Sequence, residues 1–213
     1  MKITKPSVTI IKDKPAITIL KNIERCGRLC YKSEHKITAD SYKGFIKGLI
    51  VRNHLAVIEH ESITAFVICD RGVSHEIVRH RIGSYCQEST RYISYKEGIE
   101  VIEPCFWSSD WRDSAEGSVP MDDRYAMWEA AMQDCEDCYR YLIDKGATPQ
   151  EARSVLPNSL KTEIAITYNL REWRHFFETR CSKYAHPQIR EVANMLLKGM
   201  KEYLPEIFGD ING

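Results

Sequence analysis

The longest helical pattern in the chain runs from Asp122 to about Gly146. Apolar residues recur there at intervals of three or four positions, which is the spacing of one buried face of an α-helix. The stripe consists of Tyr125, Trp128, Met132, Cys135, Tyr139 and Leu142. Aromatic residues at this spacing face a protein core more often than a cofactor, so we predict a structural helix.

Strand-like and helical patterns share the rest of the chain. Runs rich in β-branched or alternating apolar residues predict strands at residues 7–11, 62–69, 92–95, 99–102 and 159–168. Helical periodicity predicts helices at residues 15–31, 38–50, 148–157, 169–180 and 185–200. Ser74 is expected to cap a short helix that carries residues 75–81. Residues 106–120 are predicted to form a surface loop.

This mixture predicts an α+β fold, a mixed sheet flanked by long helices. The 213 residues with 43% hydrophobic content suit a single compact domain spanning residues 1–213. Thirty basic and 30 acidic residues give no net charge, which argues against nonspecific nucleic-acid binding. No apolar run is long enough to span a membrane, and the N-terminus lacks the apolar segment of a signal peptide. We therefore expect a cytoplasmic protein with neither nucleic-acid nor membrane partners.

The eight cysteines indicate reduced thiols in a chain of this size. One C-x-x-C pair, Cys135 and Cys138, lies inside the long helical pattern without a second pair. Two buried thiols on a helix face are therefore favoured over a structural zinc site.

Two histidine-containing segments suggest metal binding only weakly. His54 and His60 enclose a carboxylate, but their spacing fits neither one helical face nor one strand edge. His75-Glu76 would begin a zinc-protease motif only with a second histidine at the position that Arg79 occupies. We predict no metal site.

The stretch from Arg79 to Tyr92, RHRIGSYCQESTRY, concentrates positive charge in an otherwise neutral chain. Three arginines accompany one glutamate, and small polar residues lie between them. Arginine forks match phosphate oxygens, and short hydroxyl residues let backbone N–H groups approach an anion. A solvated cationic face is the alternative interpretation of such a stretch.

Arg-His-Arg, seven further residues, Ser89 and then Arg91-Tyr92 resemble the signature of the flavin-dependent thymidylate synthases. The resemblance implies methylation of deoxyuridine monophosphate (dUMP) to thymidine monophosphate (dTMP). Methylenetetrahydrofolate supplies the carbon in that family, and reduced FAD, regenerated by NADPH, supplies the hydride. It also implies a homotetramer with active sites shared between subunits.

Two later strings extend the resemblance over roughly residues 15 to 205. Glu151-Ala-Arg-Ser-Val-Leu-Pro157 follows a capping box at Thr148 and resembles the second family motif, whose arginine is here Arg153. Asn169-Leu-Arg-Glu-Trp-Arg-His-Phe-Phe177 resembles the third motif, and on spacing alone Asn169 is also a helix cap whose partner stands three residues on. Arg180 is expected to end that helix.

The resemblance assigns roles residue by residue. The residues implied to bind dUMP are Glu76, Arg79, Gln87, Glu88, Ser89, Arg91, Arg153 and Arg180, of which Arg153 and Arg180 are the catalytic candidates. Those implied to bind FAD are His54, Arg79, His80, Arg81, Gln87, Asn169 and His175. The family commonly has glutamine where this chain has Glu76, which puts the role of that position in doubt.

Two other functions remain open from the sequence. A nucleotide-binding regulator could use the same arginines without flavin. A metal-dependent hydrolase could use His54, Glu59, His60 and His75, and would lose its activity on chelation.

Overall fold

The computed structural model describes residues 1–107 and 123–212. Its strands are β1 (Lys2–Thr4), β2 (Ser7–Ile10), β3 (Ser62–Asp70), β4 (Ser84–Gln87), β5 (Glu100–Ile102) and β6 (Lys161–Asn169). Its α-helices are α1 (Ala16–Leu29), α2 (Ser41–Val51), α3 (Arg71–Ile77), α4 (Asp123–Asp144), α5 (Pro149–Ala152), α6 (Leu170–Arg180), α7 (Pro187–Tyr203) and α8 (Pro205–Phe208). Short 3₁₀ helices cover Glu34–Lys36, Leu55–His60 and Arg153–Val155. The α+β class is confirmed.

The strands of the described residues form two sheets, whereas the sequence predicted one. Strand β1 pairs with β5 in parallel, with Lys2 opposite Glu100. The other sheet has the strand order β2-β3-β6-β4. Strand β1 was missed because three residues are too few to show an alternating pattern.

The chain folds as two compact units. Unit one comprises Met1–Ser7, Ile68–Ile77 and Gln87–Ile164, and unit two comprises Val8–Val67, Val78–Cys86 and Ala165–Gly213. The single domain predicted for residues 1–213 stays a prediction.

Helix α4 contributes its predicted stripe to the core of unit one. Tyr125, Trp128 and Met132 pack there with Val101 of β5, the preceding Ile99 and Leu160. Tyr139 is also buried. Cys135 and Leu142 are only half-buried. Asp122, the predicted first residue of this helix, and residues 108–120 of the predicted loop lie outside the described residues.

Helix α6 supplies the aromatic core of unit two. Trp173, Phe176 and Phe177 are fully buried, and the Trp173 Nε1–H donates to the Ile63 carbonyl of β3 at 3.0 Å. The rings of Trp173 and Phe177 stack, with centroids 5.6 Å apart. This packing fixes α6 against β3, which gives the side chains of α6 defined positions.

Three local predictions were wrong. Helix α3 begins at Arg71 because Asp70 Oδ1 accepts a hydrogen bond from the Val73 N–H at 2.7 Å, so Asp70, and not Ser74, serves its first turn. The helix ends at Ile77, and residues 79–81 are therefore not helical. Residues 92–95 form no strand.

The described cysteines are free thiols, as predicted. The C-x-x-C pair is not buried, however, since Cys135 is half-buried and Cys138 is exposed. Among the described helices, none is both long enough and apolar enough to cross a membrane.

Candidate functional site

A pocket of about 490 Å³ lies in unit two beside the start of α6. It is lined by Asn53, Leu55, Glu59, Ile82, Asn169, Arg171, Glu172, Arg174, His175 and Glu178. Asn169 and His175, both predicted flavin residues, therefore share one pocket. His54 is exposed and stands between two lining residues, but it is not itself part of the lining.

The N-terminus of α6 is capped as the sequence predicted. Asn169 Oδ1 accepts a hydrogen bond from the Glu172 N–H at 2.8 Å. This bond satisfies a backbone donor that the helix itself leaves unpaired. It also fixes the backbone of Glu172 in the first turn of α6.

His80, from the Arg-His-Arg triplet, is buried among three side chains of unit two. Its Nδ1 lies 3.1 Å from Glu172 Oε1, and its Nε2 accepts a hydrogen bond from Arg180 Nε at 3.0 Å. The His175 ring is 5.6 Å away, centroid to centroid. Burial, with Arg180 contributing, lowers the pKa of His80 below its ordinary value despite the opposing effect of Glu172.

The hydrogen bonds at both ring nitrogens require the same state of His80. A guanidinium can only donate, so Nε2 must carry the free lone pair. A carboxylate can only accept, so the ring proton must be on Nδ1. His80 is thus neutral in this arrangement, with a defined tautomer.

The backbone beside His80 is held against β6. The Tyr85 hydroxyl donates to the His80 carbonyl oxygen and lies 2.8 Å from the Tyr168 hydroxyl. Gly83 lies so close to the Tyr168 ring that an added Cβ would be 2.3 Å from its carbons. Burial raises the pKa of the Tyr168 hydroxyl, which therefore stays protonated and able to donate.

His80, Glu172 and His175 also form a group with the composition of a metal site. One potential ligand atom from each lies within 4.8 Å of the others. Since both nitrogens of His80 already have protein partners, a metal would have to displace one of them. Within the described residues, the set proposed for a hydrolase is not gathered into such a group, and Glu59 instead pairs with Arg171 at 2.6 Å.

Three predicted nucleotide residues in unit one are oriented by neighbouring side chains. The Gln87 amide donates to Ser74 Oγ at 2.9 Å and to Thr162 Oγ1 at 3.1 Å. Glu88 Oε1 accepts from the Tyr95 hydroxyl at 2.7 Å. Ser89 Oγ accepts from the Arg91 N–H at 3.3 Å. The carboxylate of Glu88 is thus held in place by Tyr95.

The remaining predicted cations are exposed. They are Arg79 and Arg81 in unit two and Arg91 and Arg153 in unit one. The Arg91 guanidinium lies 5.3 Å from the centre of the Tyr92 ring. Arg153 follows the capping box that the sequence predicted, in which Glu151 Oε2 accepts from the Thr148 N–H at 2.8 Å. Glu76 is half-buried on α3.

Sequence reasoning missed several residues around His80 and the pocket. Tyr85 and Tyr168 were assigned no role, and Glu172 was noted only as the partner of a helix cap. Arg171 and Arg174 lie within the third motif string and were not singled out. No local signal distinguishes Glu172 or Tyr168, because their contacts with His80 and Tyr85 join segments more than 80 positions apart; Tyr85 is only five positions from His80, but the sequence carries no signal for a bond from its hydroxyl to that carbonyl.

Comparison with known proteins identifies the family. A family model described as thymidylate synthase complementing protein matches residues 17–206. A flavin-dependent thymidylate synthase of Geobacter sulfurreducens is 38% identical over 193 residues, covering 86% of this chain and 78% of the relative. One of Mycobacteroides abscessus is 33% identical over 200 residues, covering 89% and 78%. One of Pyrococcus furiosus is 33% identical over 186 residues, covering 86% and 72%.

These matches show that the protein is an enzyme of the methyltransferase class. The chain belongs to the flavin-dependent thymidylate synthase family. The resemblance found in Arg79–Tyr92 and the two later strings is thereby confirmed.

Proposed function

We propose that this enzyme converts dUMP to dTMP by reductive methylation. Methylenetetrahydrofolate donates the carbon, and FAD, reduced by NADPH, supplies the hydride. The observation that carries the proposal is that Asn169 and His175, at family flavin positions, line the same pocket of unit two. A role in nucleotide biosynthesis in the cytoplasm, as a homotetramer with shared active sites, forms part of the proposal.

The donors of the pocket suit a flavin dinucleotide. Arg171, whose exposed guanidinium pairs with Glu59 at 2.6 Å, offers further N–H groups to a pyrophosphate, and Asn169 retains amide N–H donors after its oxygen caps α6. Arg174 adds positive charge to the lining, but its terminal nitrogens already donate to Asp210 at 2.7 and 2.8 Å, and its Nε, which has no hydrogen-bond partner in the described structure, is buried. His54, Arg79, His80, Arg81 and Gln87 complete the proposed flavin set.

The proposed nucleotide site relies on cations. Arg91 and Ser89 hold the phosphate, supported by Gln87 and Glu88. Arg79, Arg153 and Arg180 contact the pyrimidine, where fixed positive charge stabilises the negative charge that develops during the reaction. Glu76 is retained as a contact of this site.

Flavin binding is the direct test of the proposal. Purified protein mixed with FAD at micromolar concentration is expected to retain about one FAD per chain, seen as an absorbance band near ~450 nm that belongs to the cofactor. With dUMP, methylenetetrahydrofolate and NADPH added, dTMP should form. Failure of the folded protein to bind FAD would overturn the proposal.

A matched pair of histidine variants locates the flavin. His175→Ala should weaken FAD binding about tenfold, the size expected for one lost contact. His35→Ala, at an exposed histidine away from the pocket residues, should leave binding unchanged. Nucleotide binding without flavin would indicate the regulator, and turnover abolished by a chelator would indicate the hydrolase.

A further inference from the structure

Two helix starts in this chain share one sequence pattern but use its glutamate differently. At Thr148-x-x-Glu151 the glutamate side chain returns to its own helix end and accepts from the Thr148 N–H and hydroxyl, at 2.8 and 2.7 Å. This is the reciprocal capping box expected of the pattern. At Asn169-x-x-Glu172 the cap oxygen bonds the Glu172 N–H, but the Glu172 carboxylate lies against His80.

The Glu172 carboxylate, which lies against His80 and does not bind its own helix end, is buried. The side chains of Glu172 and His80 are 8% and 5% exposed. A buried carboxylate is costly unless a donor satisfies it, and His80 Nδ1–H is such a donor. Glu172 therefore serves the side-chain arrangement around His80 and is not needed to close the helix end, which Asn169 already caps.

His80 links Glu172 to Arg180 through its two ring nitrogens. Glu172 holds the proton on Nδ1, which leaves Nε2 as an acceptor for Arg180 Nε. Without an obligate acceptor at Nδ1, the ring proton could move to Nε2. Two donors, Nε2–H and the Arg180 Nε–H, would then face each other, and the guanidinium would lose its hydrogen bond to His80.

We infer that Glu172 is a positioning residue that fixes the tautomer of His80 and thereby holds the Arg180 guanidinium in place. The inference rests on the proposed function, in which Arg180 contacts the pyrimidine of dUMP. The Glu172 carboxylate is linked to Arg180 through His80, and in this proposal it does not touch the nucleotide. Its effect on the nucleotide should therefore pass entirely through Arg180.

A double-mutant cycle tests this route. In the flavin-loaded enzyme, Glu172→Gln keeps the shape and the backbone cap but allows an amide N–H to face Nδ1. Its dissociation constant for dUMP should rise about tenfold, within the range of coupling between contacting residues. In the Arg180→Ala background the same change should alter it by less than about twofold. A structural defect would act equally in both backgrounds.

Glu202→Gln is the matched control, because Glu202 is an exposed glutamate on α7. It should leave dUMP binding unchanged. An effect of Glu172→Gln that is below threefold, or that persists in full beside Arg180→Ala, would refute the inference.

The tautomer can also be measured without any Glu172 variant, should that variant not fold. With ¹⁵N-labelled histidine, the signals absent from His80→Asn identify the ring. The inference requires a protonated Nδ1 and an unprotonated Nε2 at neutral pH, and a protonated Nε2 would overturn it. This measurement stands even if the protein binds no dUMP, so failure of the inference and failure of the proposed function are distinguishable.

Discussion

The candidate residues around His80 in unit two and the exposed arginines of unit one differ in how the folded chain holds them. In unit two, His80 is buried and bonded at both ring nitrogens, and Tyr85 holds its carbonyl. In unit one, Arg91 and Arg153 are exposed. The first group has its geometry set by the folded chain, whereas the second can take its final geometry from the anion it binds.

This difference separates two kinds of mutational effect. Changes at the exposed arginines should remove binding or catalysis while leaving the free energy of unfolding unchanged. Changes around His80 should lower both. Measuring activity and thermal stability on the same variants therefore tests the comparison.

The largest effect is expected at Arg153. Arg153→Ala should lower kcat by about 100- to 1000-fold, the loss seen when one fixed electrostatic contact to a developing charge is removed. The melting temperature should stay within a degree or two of the parent, since surface changes away from packed features are nearly neutral. Steady-state dTMP formation and a melting curve measure the two quantities.

The same variant also tests whether sites are shared. Mixing Arg153→Ala with Arg91→Ala, at a dUMP concentration too low for Arg91→Ala to turn over, should restore part of the activity if one site draws these residues from different chains. No recovery, with subunit exchange shown independently, would mean that each chain carries a complete site.

Arg91→Ala should weaken dUMP binding and spare FAD. Losing one charge-assisted contact to phosphate costs roughly 2–3 kcal/mol, or about 30- to 150-fold in the dissociation constant. Titration of dUMP into the flavin-loaded variant gives this number. An unchanged affinity would remove Arg91 from the phosphate site, and a marked drop in melting temperature would contradict the comparison.

Gly83→Ala probes the packed side. The new Cβ would be 2.3 Å from the Tyr168 ring, so either the ring or the backbone must move. We expect a loss of about 1–3 kcal/mol in the free energy of unfolding, typical of overpacking, together with weaker FAD binding. Gly44→Ala on α2 is the control: nothing lies within 4 Å of its added Cβ, and it should stabilise by about 0.5–1 kcal/mol.

The smallest effect is expected at Cys86, an exposed thiol on β4. Arginines nearby in sequence suggest a reactive cysteine. Hydride delivery by flavin, as proposed above, offers a route without covalent attachment. Cys86→Ser should keep turnover within about tenfold, or ~1.4 kcal/mol. A loss of about 1000-fold with dUMP and FAD binding intact would show a nucleophilic role.

Local features of the fold were predictable because their causes are local. The capping box at Thr148 and the cap at Asn169 use residues three positions apart, and both are present. The helix over residues 75–81 was predicted wrongly at both ends. Its start is set by Asp70, a local cap that was overlooked in favour of Ser74, whereas Gly83, just beyond its end, packs against Tyr168 far along the chain. His80 and Glu172 are 92 positions apart, so their bond leaves no local signal.

Few residues could replace Asn169 without a loss of either capping or hydrogen bonding to a ligand. Its oxygen starts α6, and its amide hydrogens remain for the pocket. Aspartate, serine or threonine would start the helix as well, but aspartate offers no donor and the hydroxyl residues have a different shape. Replacing Asn169 with Asp exchanges the amide for a carboxylate. This would leave folding intact, but the pocket would receive a hydrogen-bond acceptor in place of N–H donors. Selection for folding alone would not preserve the amide, so its retention would depend on selection for the bound ligand.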